Sequence, residues 1–208
     1  MLCRSDGSRA KLPEALNLLM TGNAFLYYGE ELGMKGSGRD ENKRAPMPWT
    51  DGDPAEETGQ GVPQGVTVCD GPPDMEPQAA KFGTVSQQAA DPYSVLNYFR
   101  NAIRIRNAFP VIACGRTEPL EELSDQDVGA FLRAAEETGG TEEAAAPVLV
   151  VFSTSDEERR VDLSAAPDAE GFGQLSAVLT VSEEPVMLES GVLTLPPRGI
   201  AVLTAQSH

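Results

Sequence analysis

Two groups of ionisable side chains could do chemistry, and both fall in one segment, GNAFLYYGEELGMKGSGRDENKRAPMPW, residues 22 to 49 of 208. Glu30 and Glu31 have the residue types of a pair that protonates a leaving group and attacks or activates water. That work needs the carboxyls about 5 to 9.5 Å apart across the scissile bond. Adjacent residues leaving a strand usually point in opposite directions, which argues against this pair facing each other across a bond. Asp40 and Arg44 suit recognition of a polyhydroxylated ligand instead. A carboxylate accepts two hydroxyl hydrogen bonds, a guanidinium donates several in a fixed fork, and neither has to ionise or attack. The competing reading of the two is a solvated ion pair within a loop. Tyr27, Tyr28 and Trp49 could stack on a ring face, but at a strand end they read more readily as core aromatics. Met34 and Met47 read as packing.

Other chemistries are excluded by what the chain does not contain. The single histidine is the terminal His208, so no imidazole is available for Ser/His/Asp or Cys/His catalysis. Cys3, Cys69 and Cys114 show no CxxC or Cys/His spacing, and no metal or other cofactor is expected. A Cys69–Cys114 disulfide and free thiols remain equally open. Residues 1 to 50 hold seven Lys/Arg against six Asp/Glu, whereas residues 51 to 208 hold nine against twenty-six, and no lysine follows Lys81. Without a basic stripe, neither nucleic acid nor an anionic membrane is an expected partner. No run approaches the roughly 18 apolar residues of a membrane span. The start, MLCRSDGSRA, lacks the features of a signal peptide.

The elements that must position these residues are legible from periodicity. Residues 9 to 21 place Leu12, Ala15, Leu16, Leu19 and Met20 at helical spacing, and Gly22-Asn23 stops the helix. AFLYYG then reads as a short strand buried on both faces. Residues 30 to 87 lack periodicity, and a loop of that length needs a functional reason. DPYSVLNYFRNAIRIRNAFP is a helix opened by Asp91 and Pro92 and closed before Pro110. Beyond Ile112 the period becomes two: DVGAFLRA, PVLVVFST, RRVDLS, QLSAVLTV, PVMLES and GVLTLPPRGIAVLT predict an antiparallel β domain of sandwich type. The acidic insert EETGGTEEAAA reads as an exposed hairpin tip.

The strand end YYGEE with Gly33-Met34, followed by Asp40, Arg44, Pro46-Met47 and Trp49 in the pattern D-x-x-x-R-x-PM-x-W, resembles the last strand and following loop of the α-amylase family of glycoside hydrolases. DPYSVLNYFRNAIRIRNAFP is similar to that family's final barrel helix, and LTLPPRGIAVL to the last strands of its C-terminal domain. Residues 114 to 190 match in pattern only. The resemblance implies an α+β chain in which residues 1–112 are the last αβα segment of a (β/α)8 barrel. Residues 113–208 would form an antiparallel β-sandwich resembling the family's C-terminal domain. Active sites of such barrels lie where the loops leave the C-terminal strand ends, which is where the long loop begins.

By the same resemblance, Asp40 and Arg44 contact a glucosyl unit on the non-reducing side of the cleavage point, and the substrate is an α-glucan or maltooligosaccharide. The family's nucleophile, general acid and transition-state-stabilising Asp lie on earlier strands, and no such motif occurs here. The expectation is therefore a C-terminal fragment of a retaining α-glucan-hydrolysing enzyme, inactive alone. A non-catalytic carbohydrate-binding or interaction module is the alternative, to be recognised by exposed aromatics on one sheet face. An isolated αβα piece exposes apolar surface meant for neighbouring strands, so association through the incomplete barrel, or partial disorder of residues 1–90, is expected. The resemblance favours an extracellular or cell-surface location.

Overall fold

The unbroken apolar runs VLVVFS and IAVLT form inner strands of an antiparallel sheet, because both of their faces are covered. The computed structural model describes residues 7–34, 36, 38–49, 82–135 and 145–205. These divide between two compact units, one from Met1–Ala10 and Phe25–Phe99, the other from Lys11–Ala24 and Arg100–His208. The helices are α1 (Gly7–Leu19), α2 (Val85–Ala90), α3 (Val95–Ala108) and α4 (Pro110–Cys114). The strands are β1 (Arg116–Pro119), β2 (Val128–Ala134), β3 (Val148–Ser153), β4 (Arg159–Asp162), β5 (Gln174–Leu179), β6 (Met187–Glu189), β7 (Val192–Leu195) and β8 (Ile200–Thr204). No helix among the described residues is long and apolar enough to cross a membrane.

In the second unit a five-stranded sheet of order β1-β2-β3-β8-β5 faces a three-stranded sheet of order β4-β7-β6. All pairings are antiparallel. Period-two alternation sends Leu149, Val151, Ala201 and Leu203 from the large sheet against Val161, Leu193 and Leu195 from the small one. Leu120, Leu123 and Phe172 complete this core. On the other face of the large sheet, Val150, Val202 and Ile200 are also fully buried, which is why β3 and β8 read as continuous apolar runs. Gly129 on β2 is the cross-strand partner of Phe152. A Cβ on Gly129 would stand 2.3 Å from the Phe152 ring, and Phe131 lies beside that ring with centroids 6.4 Å apart. The edge strand β5 carries a bulge between Leu175 and Ala177, a device that limits pairing beyond the sheet.

Arg133, on β2, is fully buried, and no carboxylate among the described residues pairs with it. Its guanidinium donates to the carbonyls of Ile112 at 2.7 Å and Val111 at 3.3 Å, to the Gly115 carbonyl, and to Thr117 Oγ1. It thus closes the C-terminal end of α4, where helical carbonyls have no intrahelical donor. Arg106, on α3, does the same for the end of α1, donating to the carbonyls of Leu18, Met20 and Gly22. Burial, and secondarily the nearby Arg106 charge, lowers the pKa of Arg133 from its ordinary value.

Two turns bind the sandwich at its ends. Asp125 Oδ1 accepts from the Asp127 and Val128 amides at 2.7 and 2.8 Å, and its Oδ2 from Arg159 Nη2 at 2.6 Å. Asp125 precedes β2 and Arg159 opens β4, so the cluster spans the two sheets. In the turn before β8, Arg198 adopts the left-handed conformation at φ 52°, with Gly199 N donating to Pro196 O at 2.9 Å. That conformation disfavours a side chain, and the Arg198–Asp156 ion pair holds it in place.

The structure departs from the sequence reading at two places in this account. AFLYYG is extended but pairs with no strand among the described residues, and Phe25 is 86% exposed. A strand is defined by its hydrogen-bonded neighbours, and this segment has none there. α3 begins at Val95, capped by Ser94, whose Oγ accepts from Asn97 N at 3.1 Å. Asp91 instead closes α2 and caps a turn, accepting from Tyr93 N at 2.9 Å. Cys114 is an exposed free thiol, and its candidate partner Cys69 lies outside the described residues, as do Cys3 and residues 136–144 of the hairpin-tip insert EETGGTEEAAA.

Replacing Arg133 by Leu should destabilise the chain by about 3 kcal/mol in urea unfolding, since several buried carbonyls lose their donor at once. Arg133→Lys should lose less, because an ammonium keeps the charge without the fork. The Asp127 amide and then the other donors around Asp125 hold its carboxyl below the usual range. Its contribution is therefore present above the ordinary carboxylate pKa and is lost as pH falls through the depressed folded value. The stability gap between wild type and Asp125→Asn should accordingly narrow as pH is lowered from about 5 towards 2.

Candidate functional site

The segment leading into the candidate loop ends in a turn that only glycine can make. Gly29 sits at φ 89° and Gly33 at φ 65°, flanking the 3-10 turn Glu30–Leu32. A Cβ on Gly33 would stand 2.5 Å from the Phe82 ring, and one on Gly29 2.7 Å from Met34 Sδ. The turn closes on itself through Leu32 N and Met34 N, both donating to Gly29 O, at 3.1 and 2.9 Å.

Glu30 and Glu31 are absorbed by this turn. Glu30 Oε2 accepts from Tyr27 N at 3.0 Å, and Glu31 Oε2 from Gly29 N at 2.7 Å. Both carboxylates reach back to main-chain donors of their own turn. This geometry differs from that of residues diverging from a strand.

Asp40 and Arg44 lie on a second 3-10 turn, Asp40–Arg44, one residue beyond a full turn from each other. They form an ion pair, and Lys43 Nζ stands 3.6 Å from the other Asp40 oxygen. The Asp40 and Arg44 side chains are 61% and 60% exposed. The hydrogen bond and charge of Arg44, with a smaller effect of Lys43, lower the Asp40 pKa from its ordinary value. The carboxylate is thus held ionised and ready to accept hydrogen bonds. Asn42, between them, is buried and turned away from the pair's exposed surface.

Tyr27 and Tyr28 are 55% and 45% exposed, against the expectation of core aromatics, because AFLYYG has no flanking strands among the described residues to cover them. Their rings lie 4.9 Å apart. Tyr28 Oη also donates to Ala45 O at 3.1 Å, tying the entry of the loop to the end of the Asp40–Arg44 turn. Trp49 is half-buried, and its carbonyl accepts from Ser86 N and Ser86 Oγ. Met34 and Met47 are half-buried packing residues.

Sequence reasoning passed over α2, treating residues 30 to 87 as one loop, and with it Gln88, which is 1% exposed. A signal for this helix was available. Thr84-Val-Ser-Gln87 is a capping box, with Gln87 N donating to Thr84 Oγ1 at 3.4 Å and Thr84 N donating to Gln87 Oε1 at 3.0 Å. Among the described residues no group of three or more His, Cys, Asp or Glu is arranged to hold a metal ion.

No family model matches the chain. It is 33% identical over 112 residues to the "Alpha-amylase SusG" of Bacteroides thetaiotaomicron, a match covering 53% of this chain and 14% of that protein. It is 28% identical over 207 residues to the "Trehalose synthase" of Thermus thermophilus, covering 97% of this chain and 20% of that one. Among solved structures, Amy13B of Eubacterium rectale superposes with a TM-score of 0.80 at 34% identity, over 97% of this chain and 35% of its own. The chain thus spans about a third of that structure, and a fifth or less of the curated relatives it matches. In sequence and in fold, these 208 residues match the C-terminal part of α-amylase-family glycoside hydrolases.

Proposed function

We propose that the chain is part of an enzyme that cleaves α-glucosidic bonds in α-glucans or maltooligosaccharides with retention, and that Asp40 and Arg44 hydrogen-bond a glucosyl unit on the non-reducing side of the cleavage point. In this reading residues 1–112 belong to the barrel and residues 113–208 are the accessory β domain. The chain itself supplies no catalytic carboxylate. The observation that carries the reading is the exposed Asp40–Arg44 pair, at the tip of a loop whose two legs are fixed to the same unit.

Several features support it. Glu30 and Glu31 are committed to main-chain amides, which leaves them unsuited to attack or to proton transfer at a sugar. Asp40 and Arg44 are already ordered against each other, so a sugar hydroxyl pair can bridge them without first ordering either side chain. The rival reading, a non-catalytic binding module, calls for exposed aromatics on a sheet face. Among the described residues of β1 to β8 the exposed large hydrophobics are Val178 and Met187, neither of them aromatic. The similarity to a protein named trehalose synthase favours one variant of the main reading, in which the glucosyl group passes to a sugar hydroxyl rather than to water.

The test is hydrolysis of a fluorogenic maltooligosaccharide by the purified 208-residue chain, alone and with the remaining portion of Amy13B supplied in trans, with trehalose assayed as a second product. No turnover alone and turnover on complementation are expected. Asp40→Asn and Arg44→Lys should then raise KM about tenfold while leaving kcat within a few-fold, as for loss of uniform substrate binding. Turnover by the chain alone that is abolished by Glu30→Gln or Glu31→Gln would overturn the reading.

A further inference from the structure

The loop that carries Asp40 and Arg44 is held at both legs by the first turn of α2. On the entry leg, the Leu32 carbonyl accepts from Gln88 Nε2 at 3.0 Å. On the exit leg, the Pro48 and Trp49 carbonyls accept from the Val85 and Ser86 amides at 2.8 and 3.1 Å, and Ser86 Oγ adds a 2.9 Å bond to Trp49 O. Val85, Ser86 and Gln88 fall within one helical turn of about 5.4 Å pitch, so the two legs are drawn together into a closed neck, as in compact surface loops whose ends meet.

Within this neck the exit leg is tied to α2 by two main-chain amides and the Ser86 hydroxyl, whereas the entry leg is tied to α2 by one side chain. Gln88 is 1% exposed and its amide is fully used. Nε2 also donates to Gly83 O at 3.1 Å, and Oε1 accepts from Leu96 N at 3.1 Å. Its own main-chain carbonyl accepts from Ser94 Oγ at 2.6 Å and Asn97 Nδ2 at 3.0 Å. Rotating the amide by half a turn would set its oxygen against two carbonyls and its N–H against the Leu96 N–H, so the network admits one orientation. A single buried amide therefore fixes the entry leg, the start of α2 and the start of α3 in one frame.

We infer that Gln88 is a positioning residue for sugar recognition: it sets where Asp40 and Arg44 stand without touching the sugar. The inference rests on the function proposed above. The Asp40–Arg44 ion pair is exposed and too weak to place the loop that carries it. A loop left to order itself on binding would spend much of the affinity on lost conformational freedom. Tyr28 and Gln88 hold the entry leg from either side of the Gly29–Gly33 turn, and of these two only Gln88 is sealed from water.

The test compares four 208-residue chains, wild type, Gln88→Glu, Asp40→Asn and Ser86→Ala, by maltotriose titration and, for the first three, by hydrogen exchange of the amides of residues 29–34. Gln88→Glu keeps the shape and the acceptor for Leu96 N but loses both donors. It should weaken maltotriose binding about tenfold and accelerate exchange at residues 29–34. Asp40→Asn should weaken binding with exchange there unchanged, which separates positioning from contact. Ser86→Ala, which removes one of several bonds on the exit leg, should reduce affinity less than Gln88→Glu. If Gln88→Glu binds maltotriose as wild type does while Asp40→Asn binds less well, the positioning role is overturned and the sugar site stands. If wild type shows no saturable binding, or Asp40→Asn binds like wild type, the sugar site itself fails and the role of Gln88 fails with it.

Discussion

Main-chain carbonyls that no ladder or helix can satisfy are taken up by buried or half-buried side chains, and the arrangement of helices and turns depends on that exchange. Arg133 is the fullest case. A buried guanidinium without a counter-carboxylate is costly, and it is tolerated here because the end of α4 presents several carbonyl dipoles at once. The same residue contacts Thr117 on β1, so one side chain of β2 sets the edge of the large sheet and the helix that precedes it. Arg106 repeats the solution at the end of α1, and Gln88 repeats it with a neutral amide at the neck of the candidate loop.

This division of labour separates shape from recognition. The sandwich is fixed by two-sided burial of β3 and β8 and by the Asp125–Arg159 cluster that spans its sheets. The residues proposed to meet sugar are exposed and make few packing contacts, so they can be chosen for chemistry. Their placement is delegated to groups that are buried and never meet ligand. A left-handed position such as Arg198 lies at a sheet end, where its side chain is paired with Asp156.

The β domain was legible because its strands carry their burial in their sequence. VLVV and IAVL are continuous apolar runs because β3 and β8 are covered on both faces, and QLSAVL alternates because β5 lies at an edge. β1 was not legible, since RTEP combines charge with a proline and earns its strand only by lying beside β2. AFLYYG was over-read for the opposite reason: its composition is that of a buried strand, but composition cannot supply the neighbours on which a strand depends. The start of α3 was misplaced by three residues because Asp91 and Ser94 are both good caps, and the choice between them was settled by the Ser94–Gln88 bond, a contact that local propensity does not encode. Asp40 and Arg44 were visible as residue types at a suggestive spacing, while Gln88 was invisible as one glutamine among several.

The Gly129–Phe152 pair links two positions of the sheet in a way that bears on how such chains can diverge. The phenylalanine ring occupies the space that a Cβ on the facing residue would need, so the two sites share one volume. A larger residue at 129 therefore requires the Phe152 ring to swing aside or residue 152 to be smaller, so the residue tolerated at one site depends on the one at the other.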